Sequence, residues 1–276
     1  MVCGPTASGK SELTDALADG LTGELGARVP TLVVDSMQVY REIPAITNQA
    51  RRRPAELIGI VSVAQEWTVA RHRESAEVII SDLDTPFVLD CGTGMYLNSI
   101  ILEVPLAPKV EEQTRRVAQR ITTGAPNPRR ASRAKELELA GVAARGSIWD
   151  GPLRYDTTMI YLRPNVAQLD AAISRRSGRI VRDGLDEAAR IREMSGVNAS
   201  VMDSIGVREL VEHLEGKLSM EEAEDRICSR TRRLARRQMR WFDKLVRTLG
   251  AQADIDVVES PLGIDFSNSM HDRIGT

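Results

Sequence analysis

A short glycine-bearing segment near the start of the chain, GPTASGKS over residues 4–11, fits the pattern G-x-x-x-x-G-K-[ST]. Gly4 and Gly9 let the backbone turn tightly enough for successive N–H groups to converge on phosphate oxygens at a helix N-terminus. Lys10 adds a point charge and Ser11 a hydroxyl suited to Mg²⁺. Such a loop needs a strand before it and a helix after it. The apolar stub MVC and the helix-like stretch over 11–25 supply both, which weighs against an ordinary glycine turn.

That constraint organises the rest of the chain. Apolar runs over 31–34, 86–89 and 158–162 read as buried strands, and 70–81 reads as a helix between the first two. Strands alternating with helices predict an α/β fold: a P-loop NTPase-like parallel sheet flanked by helices, with ligands at the C-terminal strand ends. Residues 104–153 carry Pro105, Pro108, Pro126, Pro128 and Pro152 and read as short helices in a proline-bounded, shortened helical insertion domain. Residues 166–249 are mostly helical in pattern. Residues 251–276 mix Pro, Gly, Ser and Asn without a period and read as a loosely packed tail. The expected division is 1–104 and 154–250 for the two parts of the core, 105–153 for the insertion, and 251–276 for the tail.

Charge does not settle the partner by total, because 37 basic and 39 acidic side chains leave a net charge of −2. Its distribution does more. Arg226, Arg230, Arg233, Arg237, Arg240, Lys244 and Arg247 recur at helical spacing beside an apolar stripe of Ile227, Leu234, Trp241 and Leu245. Only Asp243 breaks the sign of that stripe, so a phosphate backbone is favoured over a merely solvated face. Cys3, Cys91 and Cys228 lie far apart, as do His72, His213 and His271, which argues against structural zinc or a disulfide framework and for a reducing, cytoplasmic setting. No apolar run is long enough for a membrane span.

Two carboxylates follow strand-like runs. Asp35, after TLVV, could bind Mg²⁺ or accept a proton, or could cap the next helix. Asp90 closes FVLD, which mimics the apolar strand ending in a Mg²⁺-holding Asp of P-loop NTPases. Gln38 and Tyr40 are placed to meet a base or to be structural. Trp67, Trp149 and Trp241 read as core rather than stacking platforms.

GPTASGKS, DSMQVYR over 35–41, CGTGMY over 91–96 and TRRLARRQMRWF over 231–242 together resemble the tRNA dimethylallyltransferases, also called isopentenyl tRNA transferases, in family order along residues 1–249. The resemblance implies that the loop Gly4, Thr6, Ala7, Ser8, Gly9, Lys10 and Ser11 holds the diphosphate of dimethylallyl diphosphate, with Ser11 on Mg²⁺. It implies Thr93 and Arg176 as further diphosphate contacts and Asp35 as the general base that takes a proton from an adenosine amine. Gln38, Arg230, Arg233, Arg237, Gln238 and Arg240 are the implied RNA-binding residues, the partner being a tRNA anticodon stem-loop bound by a monomer. Asp90 and Cys91 depart from the family pattern, the first strand is short, and the insertion is reduced, although Arg115, Arg116, Arg120, Arg129, Arg130 and Arg133 persist in it. These departures keep three alternatives open: prenyl transfer to free adenine nucleotides, a P-loop kinase or NTPase using ATP, and a weakly catalytic RNA-binding relative.

Overall fold

The computed structural model describes residues 1–126, 128–142 and 146–261; the side chains of Pro128 and Arg129 lie outside that description. In chain order the elements are β1 (Val2–Cys3), α1 (Lys10–Leu25), β2 (Thr31–Val34), α2 (Pro44–Thr47), α3 (Val69–Ser81), β3 (Val88–Cys91) and α4 (Gly94–Ile101). Next come α5 (Glu112–Ile121), α6 (Pro128–Leu139), β4 (Thr158–Leu162), α7 (Val166–Asp183) and α8 (Leu185–Glu193). The chain continues through α9 (Ala199–Met202), α10 (Val207–Leu214), α11 (Met220–Leu249) and β5 (Asp254–Val258).

The strands form one five-stranded sheet in the order β2-β3-β1-β4-β5, and every pairing is parallel. In such an order the chain leaves β1 toward one edge and returns past it toward the other. The loops after β1, β2 and β3 therefore crowd the same end of the sheet. Strand parity sorts the core into layers. Val2, Val88, Ile160 and Leu162 face Leu13, Leu17, Ala18 and Leu21 of α1, a helical face read off at i, i+4, i+5 and i+8. Cys3, Leu32, Leu89, Cys91 and Met159 face the opposite way, toward Leu97, Ile100 and Ile101 of α4 and Phe242 and Leu245 of α11. A second core, built from Val39, Ile43, Ile46, Ile180, Ile191 and Leu210 among others, joins α2 to the helices α7–α10.

Helix ends follow their capping chemistry. The Ser219 hydroxyl accepts from the Glu222 N–H at 3.1 Å, and the Glu222 carboxylate accepts from the Ser219 N–H at 2.7 Å. This reciprocal cap starts the 30-residue α11. Asn165 starts α7 by accepting from the Gln168 N–H at 2.9 Å.

Two sequence expectations need correction. The third strand starts at Val88, not Pro86, because proline has no N–H for the ladder; the first bond runs from Val88 N–H to Pro30 O at 2.9 Å. The unperiodic reading of 251–276 also fails over Asp254–Val258, which pairs along β4 as an edge strand. Alternating aspartates there disguise it, and charge on an edge also discourages unwanted pairing. Residues 262–276 of the expected tail lie outside the described residues. Residues 104–153 do hold two short helices, α5 and α6, packed on each other. The Glu103 N–H donates to Pro152 O at 2.9 Å, and Leu102 bridges Leu153, so the segment leaves and returns at one point.

Candidate active site

The GPTASGKS loop wraps the C-terminal end of β1. Gly9 takes φ 84°, the left-handed conformation that starts α1. Ala7 is also left-handed at φ 65°, strain of the kind that concentrates at binding loops. Gly4 is needed because a Cβ there would lie 2.9 Å from Leu162 O. The first N–H groups of α1 have no acceptor within the helix. The buried Ser8 hydroxyl likewise has no partner among the described residues. The loop opens on a cavity of about 770 Å³ between the strand ends and the helices α7 and α11, and Thr6, Ala7, Gly9, Lys10 and Ser11 line it.

Asp35 faces the same cavity from the end of β2. Its Oδ1 accepts from the Met37 N–H at 2.8 Å and the Gln38 N–H at 3.3 Å, so the capping reading is right for one oxygen. Oδ2 points toward the turn after β3, where a Cβ on Gly92 would come within 2.5 Å of it. Glycine at 92 therefore leaves room for the carboxylate. Thr93, next in that turn, accepts from the Ser36 N–H at 3.1 Å and keeps its own hydroxyl proton to donate. Gln38 also lines the cavity, its side-chain amide donating to Thr47 O at 3.2 Å.

Opposite Asp35 stands α7. Arg176 lines the cavity with Arg175 and Arg179. Burial pushes the Arg176 pKa down, Asp35 pulls it back up, and Arg179 lowers it further. Among the described residues, Lys10, Arg175, Arg176, Arg179 and Arg237 have no carboxylate at ion-pair distance. With Arg230 they set six basic side chains against three carboxylates, Glu12, Asp35 and Asp203, in the wall. Such an excess of cations, five of the six unpaired among the described residues, is unfavourable alone and suits a multiply charged anion. Arg175 and Arg179 were not singled out from the sequence, although with Arg176 they fall on one side of a helix at i, i+1 and i+4.

Other expected site residues sit elsewhere. Asp90 does not line the cavity: it shares strand parity with Val88 and turns toward α1, where its side chain is 2% exposed. Arg51 Nη1 donates to Asp90 at 2.5 Å and Arg51 Nη2 to Asp15 at 2.6 Å. Gln238, at the cavity wall, is engaged by two backbone groups: its Oε1 accepts from the Thr6 N–H at 2.8 Å and its Nε2 donates to Gly92 O at 2.7 Å. The cationic stripe of α11 is not continuous. Arg230 turns inward to the Glu209 carboxylate and Asp203 O, and Arg226 pairs with Glu212 at 3.1 Å. Lys244 lies 4.1 Å over the Trp149 ring. Arg233, Arg237 and Arg240 remain exposed. Asp243, the one acid in the stripe, is occupied by Arg163 at 2.8 Å and the Tyr161 hydroxyl at 3.1 Å. Trp241 packs on Trp149 with centroids 4.7 Å apart and covers Gly94, where any Cβ would overlap its indole.

A parallel sheet whose first strand ends in a glycine-bearing loop, with cations and one carboxylate around the same cavity, defines a P-loop-like fold with its candidate site at the C-terminal strand ends. The family model described as IPP transferase matches residues 38–245. A tRNA dimethylallyltransferase of Rubrobacter xylanophilus is 57% identical, over 99% of this chain and 97% of that one. Among solved structures, the full-length tRNA isopentenylpyrophosphate transferase of Bacillus halodurans superposes with a TM-score of 0.70 at 25% identity, covering 96% of this chain and 90% of that one. A eukaryotic dimethylallyltransferase described as acting on tRNA has a TM-score of 0.70, covering 97% of this chain and 75% of that one, and at 21% identity shares the fold. The chain belongs to the IPP transferase family. No described helix is long and apolar enough to cross a membrane.

Proposed function

We propose that this enzyme transfers a dimethylallyl group from dimethylallyl diphosphate to the exocyclic amine of the adenosine next to the anticodon in tRNA, as a monomer in the cytoplasm. The observation that carries the reading is the arrangement of unpaired cations, Lys10 and Arg176 foremost, around the one cavity that Asp35 also lines.

The chemistry asks for both halves. The amine lone pair is delocalised into the ring, so attack on the allylic carbon becomes easier as a base accepts the amine proton; Asp35 Oδ2 is that base. As the allylic C–O bond breaks, negative charge grows on the departing diphosphate. Lys10, Arg176, the loop N–H groups and the Thr93 hydroxyl are placed around the cavity to stabilise it. Their preorganisation matters because the donor also reacts with water, which a filled cavity excludes.

A divalent cation fits this site in a limited way. Among the described residues no cluster of three acidic, histidine or cysteine side chains could hold one, and Asp90 is sealed behind Arg51. Ser11 is the residue that would hold Mg²⁺, with diphosphate oxygens and water completing its shell. When bound, the ion would neutralise diphosphate charge. The pairing of Asp90 with Arg51 weakens the NTPase alternative.

On this reading 1–104 and 154–250 make the donor-binding core, extended by β5, and 105–153 forms the arm that meets the RNA stem. Arg233, Arg237 and Arg240 supply phosphate contacts, and Gln38 approaches the base. The test is labelled dimethylallyl diphosphate with Mg²⁺ and either unmodified tRNA carrying adenosine after the anticodon, or AMP, ADP and ATP. Label in tRNA is expected. Label only in free nucleotides would reassign the acceptor, and ATP turnover without prenyl donor would overturn the reading.

A further inference from the structure

Gln238 joins parts of the site that the chain itself leaves far apart. It lies on α11, 232 residues from Thr6 and 146 from Gly92, and it hydrogen-bonds both. The amide orientation is dictated by its partners: a backbone N–H can only donate and a carbonyl can only accept, so Oε1 faces Thr6 and Nε2 faces Gly92. Thr6 is 8% exposed, and its N–H has no other partner among the described residues. Gly92 is the residue whose missing Cβ makes room for Asp35 Oδ2. The next residue, Thr93, holds the Ser36 N–H. One side chain therefore links the diphosphate loop to the turn that frames the base.

We infer that Gln238 is a positioning residue that sets the spacing between the diphosphate loop and the Asp35 turn, rather than a contact to RNA. The inference deepens the transferase reading and rests on it for its kinetic readout. Losing the side-chain amide leaves the buried Thr6 N–H and Gly92 O without partners and lets the two loops drift. Small displacements of reacting groups cost rate and donor affinity. An RNA contact would act on a different quantity, the salt dependence of tRNA binding.

Q238M keeps the length and packing of the side chain and removes both hydrogen bonds; Q238E keeps an acceptor for Thr6 and loses the donor to Gly92. Binding of inorganic pyrophosphate with Mg²⁺, measured by calorimetry without RNA, tests the loop alone and stands even if the acceptor proves not to be tRNA. The expected result is pyrophosphate binding weakened about tenfold by Q238M, with donor KM raised and the tRNA dissociation constant and its salt slope unchanged. R240Q, on the exposed face, should do the reverse. The inference is overturned if Q238M or, should Q238M not fold, Q238E leaves pyrophosphate binding intact. It is equally overturned if either variant lowers the salt slope as R240Q does.

Discussion

Asp35 and Asp90 each follow a buried apolar run on neighbouring parallel strands, and their surroundings are opposite. Asp35 stands past the end of β2 with one oxygen fixed by backbone N–H groups and the other open to a cavity lined with unpaired cations. Asp90 lies within β3, paired in register with Val33, and is gripped by Arg51 in the layer under α1. The open end of the sheet keeps charges unsatisfied until a ligand arrives, whereas the closed layer beneath it pairs or neutralises them. A step of one residue along a strand decides which region a carboxylate joins, because side chains alternate faces.

The sharpest way to break the comparison is to remove each carboxylate. Asp35→Asn keeps the acceptor for the Met37 and Gln38 N–H groups but cannot take a proton. Turnover should fall by about 10²–10⁴ while pyrophosphate binding persists, as single-turnover transfer and calorimetry would reveal. Near-parental turnover would take Asp35 out of the proton transfer. In the closed layer the effect should be on stability. Burial lowers the Arg51 pKa, but the Asp90 and Asp15 carboxylates more than offset it and hold it above its ordinary value. Arg51→Met strands two buried carboxylates and should cost about 3–5 kcal/mol in denaturant unfolding. The triple change Arg51→Met, Asp15→Leu, Asp90→Val should recover most of that loss, since hydrophobic replacements of buried ion clusters are often neutral or better. Failure of the triple variant to recover would mean that the cluster sets the conformation of the loop carrying Arg51.

The same contrast marks what could be read from the chain. The strands TLVV and TMIYL are continuous apolar runs buried on both faces, and a pattern of that kind is unambiguous. The gathering of Thr6, Ala7, Gly9, Lys10, Ser11, Asp35, Thr93 and Arg176 was legible because residue types and order point to one site, and these residues line one cavity. Asp90 misled because an apolar run ending in Asp reads alike whichever face the Asp takes. Its real partner, Arg51, comes from a loop with no local pattern to advertise it. Gln238 was hidden in a motif dominated by arginines, and only the fold shows that its side chain bonds to two backbone groups while Arg240 stays outside. β5 was hidden by its aspartates.

The opposite face of the sheet, where α3 packs on α4, makes a pH prediction. His72 is fully buried beside Trp67 and Tyr96; its Nδ1 accepts from the Trp67 indole N–H at 3.1 Å, so Nε2 carries the proton and faces the Val33 backbone. Burial lowers its pKa from 6.5 to about 4. Between those values the unfolded chain binds a proton that the folded chain does not. Stability should therefore be unaffected by this group above about pH 6.5 and decline as pH falls toward 4, by up to about 3 kcal/mol. Asp243 behaves differently: Arg163 holds its carboxyl below the usual range, so its contribution is lost only at lower pH. His72→Gln, which keeps an acceptor for the indole, should flatten unfolding free energy between pH 6.5 and 4. An unchanged slope would assign the acid sensitivity to other groups.

At the open end the smallest expected effect belongs to the outer face of α11. Arg240 is exposed and among the described residues forms no ion pair, so Arg240→Gln should leave folding and pyrophosphate binding alone. If it contacts one RNA phosphate, the slope of log affinity for tRNA against log salt should shrink by about 0.7–0.9. Arg226→Gln provides the internal contrast, because Arg226 already pairs with Glu212 at 3.1 Å and should move the slope less. Equal changes from the two would mean that tRNA draws Arg226 away from Glu212 and that the stripe acts as a whole. No change from Arg240 would confine the RNA track to the cavity rim, where Arg237 stands.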